Sequence, residues 1–305
     1  MGYVYFDNKI QDENDVSISL RCVALNYGLG CFEGIRAYYD KENDKMYGFL
    51  FKEHYQRLLN SCKVLNLKIN HTVQELCDIT VELIKKNDIK CNTYIRPIAF
   101  KGSCVLGIGV ALINNDNDKF GIFFSPLNRF IEEDKLNVCI SSFRRISDNA
   151  IPTRIKSTGS YINSALATYE AYQNGYDEAL FLKEDGYVCE GPGENIFMVK
   201  GNKLITPPLH DGILEGLTRN LIIKIAKDDL GIEVCERSIA RSELYSADEL
   251  FFSGTAMQVS CIVSIDKRIV GNGDHGEVYK KINDLFNDIV LCKNEKYKDC
   301  CTEIK

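Results

Sequence analysis

Lys156 stands in the run IPTRIKSTGSYINSALATYEAY, and EGPGEN follows at 190–195. No other features narrow the possible folds so far. The first segment puts a proline and an arginine ahead of a lysine, then small and hydroxyl residues that open a helix. The second is a glutamate on a Gly-Pro-Gly turn, a composition that reverses a chain between strands. Around this pair lie YGLGCFEGIRAY (27–38), HYQRL (54–58), YIRP (94–97), GILEGLTR (212–219) and FFSGTA (251–256).

Periodicity places these motifs on elements. KMYGFLF (45–51) reads as a strand. KEHYQRLLNSCKVL follows as a helix, with Tyr55, Leu58, Leu59, Cys62 and Leu65 on one stripe. A second helix spans about 73–86, carried by Val73, Leu76, Cys77, Leu83 and Ile84. NTYIRPIAF (92–100) and FGIFFSP (120–126) read as strands, and PLNRFIEEDK (126–135) breaks the pattern as a polar linker. The expected organisation is therefore a small α/β domain over 1–125, an interdomain loop over 126–135 and a large domain over 136–305.

The second half holds short strands in LNVCISSF, EALFLK, NIFMVK, KLITP, IEVCERSI and ELFFSG. Two helices interrupt them, at about Ser160–Asn174 and Leu217–Leu230, with Gly231 as a C-cap. Strands and helices that do not alternate regularly point to an α+β fold. The charged tail KNEKYKDCCTEIK reads as peripheral.

Composition excludes several classes. The 305 residues carry a formal net charge of −6, with acids and bases interspersed, so no basic nucleic-acid face is expected. No apolar run reaches a membrane span, and the N-terminal MGYVYFDNKI has no export signal, so a cytoplasmic protein is expected. The 13 cysteines lack any C-x-x-C pair and read as reduced thiols filling apolar space. The four histidines lack metal-ligand spacing, and no metal is expected. GLGCFEG misses the G-x-G-x-x-G spacing, so nucleotide binding is unsupported.

Taken in order, the motifs resemble those of the branched-chain amino-acid aminotransferases, a group of class IV aminotransferases dependent on pyridoxal 5′-phosphate. The resemblance implies the two-domain fold shared with D-amino-acid aminotransferases. It implies transamination between leucine, isoleucine or valine and 2-oxoglutarate, giving 2-oxo acids and L-glutamate. It also implies a homodimer or higher homo-oligomer. Such chemistry needs an amine for the Schiff base and an acidic partner for the pyridine nitrogen.

By resemblance, Lys156 is that amine and the group that moves the substrate's Cα proton. Glu190 is the pyridine partner, while Glu194 is structural. Arg57, Leu217, Thr218 and Thr255 hold the phosphate, and Tyr161 reaches the phenolic oxygen. An arginine fork and a helix N-terminus suit an anion. The substrate side falls to Tyr27, Phe32, Gly34, Arg36, Tyr94, Arg96, Thr255 and Ala256. Arg96 is assigned to glutamate's distal carboxylate. Phe130 stands where family members carry a loop tyrosine that reaches that carboxylate. The alternatives are a D-amino-acid transaminase, an aminodeoxychorismate lyase or a non-catalytic scaffold. FEGIR and YIRP weigh against the first two.

Overall fold

The computed structural model describes residues 2–304 apart from Leu106, Asn114 and 128–134. These residues gather into two units. One comprises 1–128, 155–159 and 289–305; the other comprises 129–154 and 160–288. This division differs from the expected 136–305 block, because two of its segments pack with the first unit. Of the expected interdomain loop, 128–134 lies outside the described residues, and Phe130 with it.

The first unit is built on an antiparallel sheet. Its strands are β1 (Tyr3–Phe6), β2 (Lys9–Asp12), β3 (Gly30–Phe32), β4 (Ile35–Asp40), β5 (Lys45–Phe49), β6 (Thr93–Lys101) and β7 (Asp118–Pro126). The C-terminal strand Cys301–Ile304 pairs with β5, and the order runs on through β4, β6, β7, β1 and β2, with β3 also on β6. Strand β6 shows the period-2 pattern of a half-buried strand. Thr93, Ile95, Pro97 and Ala99 are buried, while Tyr94, Arg96 and Ile98 share the other, half-buried face.

Helix α1 (Val23–Tyr27) precedes β3. Helix α2 (Phe51–Val64) buries Phe51, His54, Tyr55, Leu58, Ser61 and Cys62, a stripe at helical spacing. Helix α3 (Val73–Lys86) starts with a Thr72–Glu75 capping box, which satisfies two orphan N–H groups. Its Leu76, Cys77, Leu83 and Ile84 join Ile35, Tyr55, Leu58, Ile95 and Ile122 in one core. A single turn, α4 (Ile108–Ala111), lies between β6 and β7.

The second unit carries a mixed sheet of β8 (Lys135–Arg144), β9 (Glu178–Leu182), β10 (Asn195–Lys200), β11 (Lys203–Thr206), β12 (Glu233–Glu236), β13 (Glu249–Gly254), β14 (Gln258–Ile265) and β15 (Arg268–Ile269). Its order is β12-β11-β10-β13-β14-β8-β9, with β15 on β14. Helices α5 (Tyr161–Gln173), α6 (Leu217–Asp228) and the short α7 (Arg241–Leu244) accompany it. Leu136, Val138, Leu180, Ile196, Leu250, Phe252 and Ile262 form its main core. Helix α6 ends two residues before Leu230, and Gly231 takes its left-handed φ of +62° beyond the Asp229 cap.

Two expectations need correction. A further helix, α8 (Glu277–Val290), forms where the sequence reading placed none. Its buried Tyr279, Ile282, Phe286, Ile289 and Val290 recur at helical spacing, so the signal was present. The tail is also not peripheral. Cys301 pairs with Phe49 and Ile304 with Met46, and Leu50 N donates to Cys300 O at 2.7 Å. The buried side chains of Tyr297 and Ile304 dock the charged segment.

Candidate active site

In the first unit, backbone bonds lay residues 156–158 along β3. Phe32 N donates to Lys156 O at 3.0 Å, and Thr158 N donates to Gly30 O at 2.9 Å. Thr158 Oγ1 adds a bond to Gly28 O at 2.8 Å. This pairing holds half-buried Lys156 beside Phe32, with Nζ 5.4 Å from the ring centroid. The Arg96 guanidinium lies 4.1 Å from the same ring centroid, and its Nη2 donates to the Tyr94 hydroxyl at 2.9 Å. Strand register sets Arg36 opposite Tyr94. Gly34 leaves room here for the Tyr94 ring, since a Cβ would fall 2.1 Å from its hydroxyl oxygen. Lys156, Phe32, Gly34, Tyr94 and Arg96 thus form one group. Tyr27 ends α1 and is 41% exposed, whereas Arg36 is fully buried near the Tyr38 ring.

Arg57 has a partner that the sequence reading did not foresee. Its Nε and Nη2 each reach a different oxygen of Glu33 at 2.7 Å, a side-on bidentate pair. His54, one turn earlier on α2, sets Nδ1 2.7 Å from Glu33 Oε2. Glu33 itself is fully buried, and its backbone N donates to Pro97 O. Burial pushes the Glu33 carboxyl up. The Arg57 charge and the Arg57 and His54 hydrogen bonds outweigh it and hold the carboxyl down at about 2. Burial also lowers His54, against the pull of Glu33 and with help from Arg57 and Lys156. A neutral His54 then donates from Nδ1 to the carboxylate. The available signal was the polar pair Glu33 and His54 within otherwise apolar stripes.

In the second unit, Glu190 sits on the strand-like segment before the EGPGEN turn, where Phe181 N donates to its carbonyl at 2.9 Å. Its carboxylate is nearly inaccessible, with two donors on one oxygen and an ion pair on the other. Asn195 Nδ2 and Leu214 N reach Oε2 at 3.1 and 3.0 Å. Arg145 Nη2 forms an ion pair with Oε1 at 2.8 Å, and Arg145 also lies 5.7 Å from the Phe181 ring. Arg145 escaped the sequence reading, because FRRIS gives no sign of which arginine turns inward. Glu194 closes the turn itself: its backbone O accepts from Gly191 N, and its carboxylate accepts from Gly193 N.

Three further segments are fixed near this turn. Ser164 Oγ donates to Pro192 O at 2.7 Å, tying the first turn of α5, which begins at Tyr161, to EGPGEN. Gly216 precedes α6 and meets Asn195 so closely that a Cβ would lie 2.0 Å from its Oδ1. No side chain caps α6, so the N–H groups of Leu217 and Thr218 begin a helix without an internal acceptor. Buried Arg219 turns away, donating to Pro207 O and pairing with Glu236 at 2.8 Å. Ser253, buried at the end of β13, has a hydroxyl with no hydrogen-bond partner among the described residues. Half-buried Thr255 and Ala256 form the β13–β14 turn beyond it.

Within the first unit, then, the structure groups Lys156, Phe32, Gly34, Arg57, Tyr94 and Arg96 on neighbouring elements of one sheet and α2. Within the second, it links Glu190 to the starts of α5 and α6. No group of metal-ligating side chains occurs among the described residues. No described helix is long and apolar enough to cross a membrane.

The family described as "Amino-transferase class IV" matches residues 30–265. A "Probable branched-chain-amino-acid aminotransferase" of Aquifex aeolicus is 42% identical over 305 residues, covering 100% of this chain and 97% of that protein. The solved branched-chain aminotransferase of Thermoproteus uzoniensis with norvaline has a TM-score of 0.94 at 39% identity, covering 100% of this chain and 99% of that one. The PLP form of the Thermobaculum terrenum enzyme has a TM-score of 0.92 at 34% identity, covering 100% and 98%.

The Glu33 cluster predicts acid sensitivity. A carboxyl lowered from 4.5 to about 2 stabilises the fold fully above pH 4.5 and loses that contribution as pH falls towards 2. The difference corresponds to on the order of 3 kcal/mol. His54, lowered from 6.5, adds a decline that begins below that pH, where the unfolded chain gains a proton. Urea unfolding at a series of pH values should show wild type and Glu33→Gln converging between pH 4.5 and 2. Parallel curves through that window would contradict the assignment.

Proposed function

The chain belongs to the class IV amino-transferase family, and we propose that it transfers the amino group of leucine, isoleucine and valine to 2-oxoglutarate. The products are the branched-chain 2-oxo acids and L-glutamate. What supports this most is the buried Glu190 carboxylate, which accepts from Asn195 Nδ2 and Leu214 N at Oε2 and pairs with the Arg145 guanidinium at Oε1.

Pyridoxal 5′-phosphate, when bound, supplies the carbonyl that takes up the amino group and a ring that withdraws electrons from the substrate's Cα. The residues fit that group. An uncapped helix start at Gly216–Thr218 suits a phosphate, and the unpartnered Ser253 hydroxyl lies in the neighbouring segment. Glu190 offers an acceptor to a pyridine N–H. Tyr161 serves the phenolic oxygen, and Arg57, Leu217, Thr218 and Thr255 serve the phosphate.

Lys156 acts as base at the substrate's Cα and returns the proton in the reverse half-reaction. It needs a fixed approach, and the backbone pairing to Phe32 restricts the lysine to the torsions of its own side chain. Phe32 gives an aliphatic side chain an apolar wall beside cations. Tyr94, Thr255 and Ala256 hold the α-carboxylate, with Tyr27 and Gly34 shaping the pocket. Arg96 stacks on Phe32 with its guanidinium edge turned to Tyr94, so the same wall carries donors for a second carboxylate. One pocket thereby serves leucine and glutamate. We assign the protein to the cytoplasm as a homodimer or higher homo-oligomer. The exposed Ile162, Leu166, Tyr169 and Tyr172 along α5 suit contact with a second copy.

A panel of L- and D-amino donors with 2-oxoglutarate tests the reading: leucine, isoleucine and valine should lead. Activity confined to D-donors would replace it with the D-amino-acid transaminase alternative. Lys156→Ala should abolish transfer, and Glu190→Gln should slow it by roughly 100-fold or more while the cofactor stays bound. Near-normal turnover in either variant would remove that residue from its role. Arg96→Leu should slow the glutamate half-reaction at least about tenfold more than the leucine half-reaction, equivalent to ~1.4 kcal/mol. Equal losses in single-turnover assays would move Arg96 to the shared α-carboxylate. Sedimentation should find a dimer or larger species; a fully active monomer would reject the assembly.

A further inference from the structure

We infer that Glu33 is the positioning residue of the phosphate arm: with His54 behind it, it fixes the plane in which Arg57 presents its guanidinium. This rests on the reading that Arg57 binds the cofactor's phosphate. Three donors converge on one buried carboxylate, namely Arg57 Nε, Arg57 Nη2 and His54 Nδ1, all at 2.7 Å. The carboxylate cannot swing, since Glu33 N is bonded to Pro97 O in β6 and its side chain is fully enclosed.

The geometry separates two jobs on one side chain. An arginine carries five N–H groups in a planar fork, and a side-on carboxylate uses one edge of it. That pairing sets the tilt of the whole plane, including the edge that Glu33 does not engage. An arginine on a helix surface would otherwise sample many rotamers and lose that freedom on each anion it met. Here the ordering is already done in the fold. Arg57 keeps 14% of its side-chain surface exposed while Glu33 keeps none, so the acid supports from within and the base meets solvent. His54 completes the support. One turn before Arg57 on α2, it occupies Glu33 Oε2 and keeps the carboxylate from rotating about its own axis. As a neutral donor it adds orientation without adding charge.

Glu33 is thus distinct from the groups that touch the cofactor. Its loss should weaken only the part of cofactor affinity that the phosphate contributes. The experiment strips the cofactor from the full-length protein and titrates back pyridoxal 5′-phosphate and, separately, pyridoxal, which lacks the phosphate. Binding is read by absorbance and fluorescence, independent of turnover. Arg57→Ala should collapse the ratio of the two affinities. Glu33→Gln should lower that ratio by about tenfold, the loss expected when a contact keeps its partner but not its preorganisation, with pyridoxal binding unchanged. Adding Glu33→Gln to Arg57→Ala should lower the ratio no further.

Should Glu33→Gln fail to fold, Glu33→Asp, with the carboxylate drawn back by one methylene, should give an intermediate ratio. An unchanged ratio in the Glu33 variants beside a collapsed one in Arg57→Ala would overturn the positioning role and leave the phosphate reading standing. Equal weakening of both ligands would make Glu33 merely structural. An unchanged ratio in Arg57→Ala would remove the phosphate reading, and this inference with it.

Discussion

A carboxylate sealed from water stays charged only where donors reach it from the protein itself. That constraint organises both units. In the first, Glu33 demands Arg57 and His54 from α2 and a backbone anchor on β6, so helix and sheet are locked at one point. In the second, Glu190 demands Arg145, Asn195 and Leu214 N, which join the end of β8, the start of β10 and the loop before α6. Neither acid could be exchanged for an apolar residue without stranding an arginine. Each is therefore bound to its surroundings more strictly than the leucines and isoleucines of the cores, which tolerate reshaping at similar volume.

The elements that position these groups were largely legible in the sequence. Amphipathic stripes located α2, α3 and α6, because one face of each must be buried and the spacing records it, whereas α5 was read from the small and hydroxyl residues that open it. Strand alternation in TYIRPIAFK separated Tyr94 and Arg96 from the core face, which is what lets them stand together. The motifs around Lys156 and EGPGEN were read for their chemistry; the first pairs along β3, and the second is closed by Glu194 and tied to α5 by Ser164. Helix α8 carried the same kind of stripe, between GNGDHG and KNEKYK, yet no element was read there. The tail misled for a related reason. Lysines and acids flanking them hid Tyr297 and Ile304, the two residues that dock it.

What periodicity could not carry was pairing across distance. Glu33 and Arg57 are 24 residues apart, and nothing in either local pattern names the other. Arg145 is one of two adjacent arginines, and only the strand's direction decides which reaches Glu190. The cysteines show the opposite case, a composition signal with a plain structural content. Seven of the 13 are buried, several within the apolar clusters, and burial pushes Cys77 and Cys139 up to about 11. Thiols so hard to ionise are poor nucleophiles and act as small apolar fillers.

The pairing of Cys301–Ile304 with β5 has a consequence for the order of assembly in the cell. A ribosome delivers β5 roughly 250 residues before the strand that covers it, which at ~5–20 residues per second leaves that edge bare for roughly 10 to 50 seconds. An unpaired edge with a buried-type face invites association with other nascent chains. Only when Cys301–Ile304 emerges does β5 gain its second partner. Strand β5 therefore waits on a segment made long after it, and loss of Cys301–Ile304 would leave its edge bare permanently.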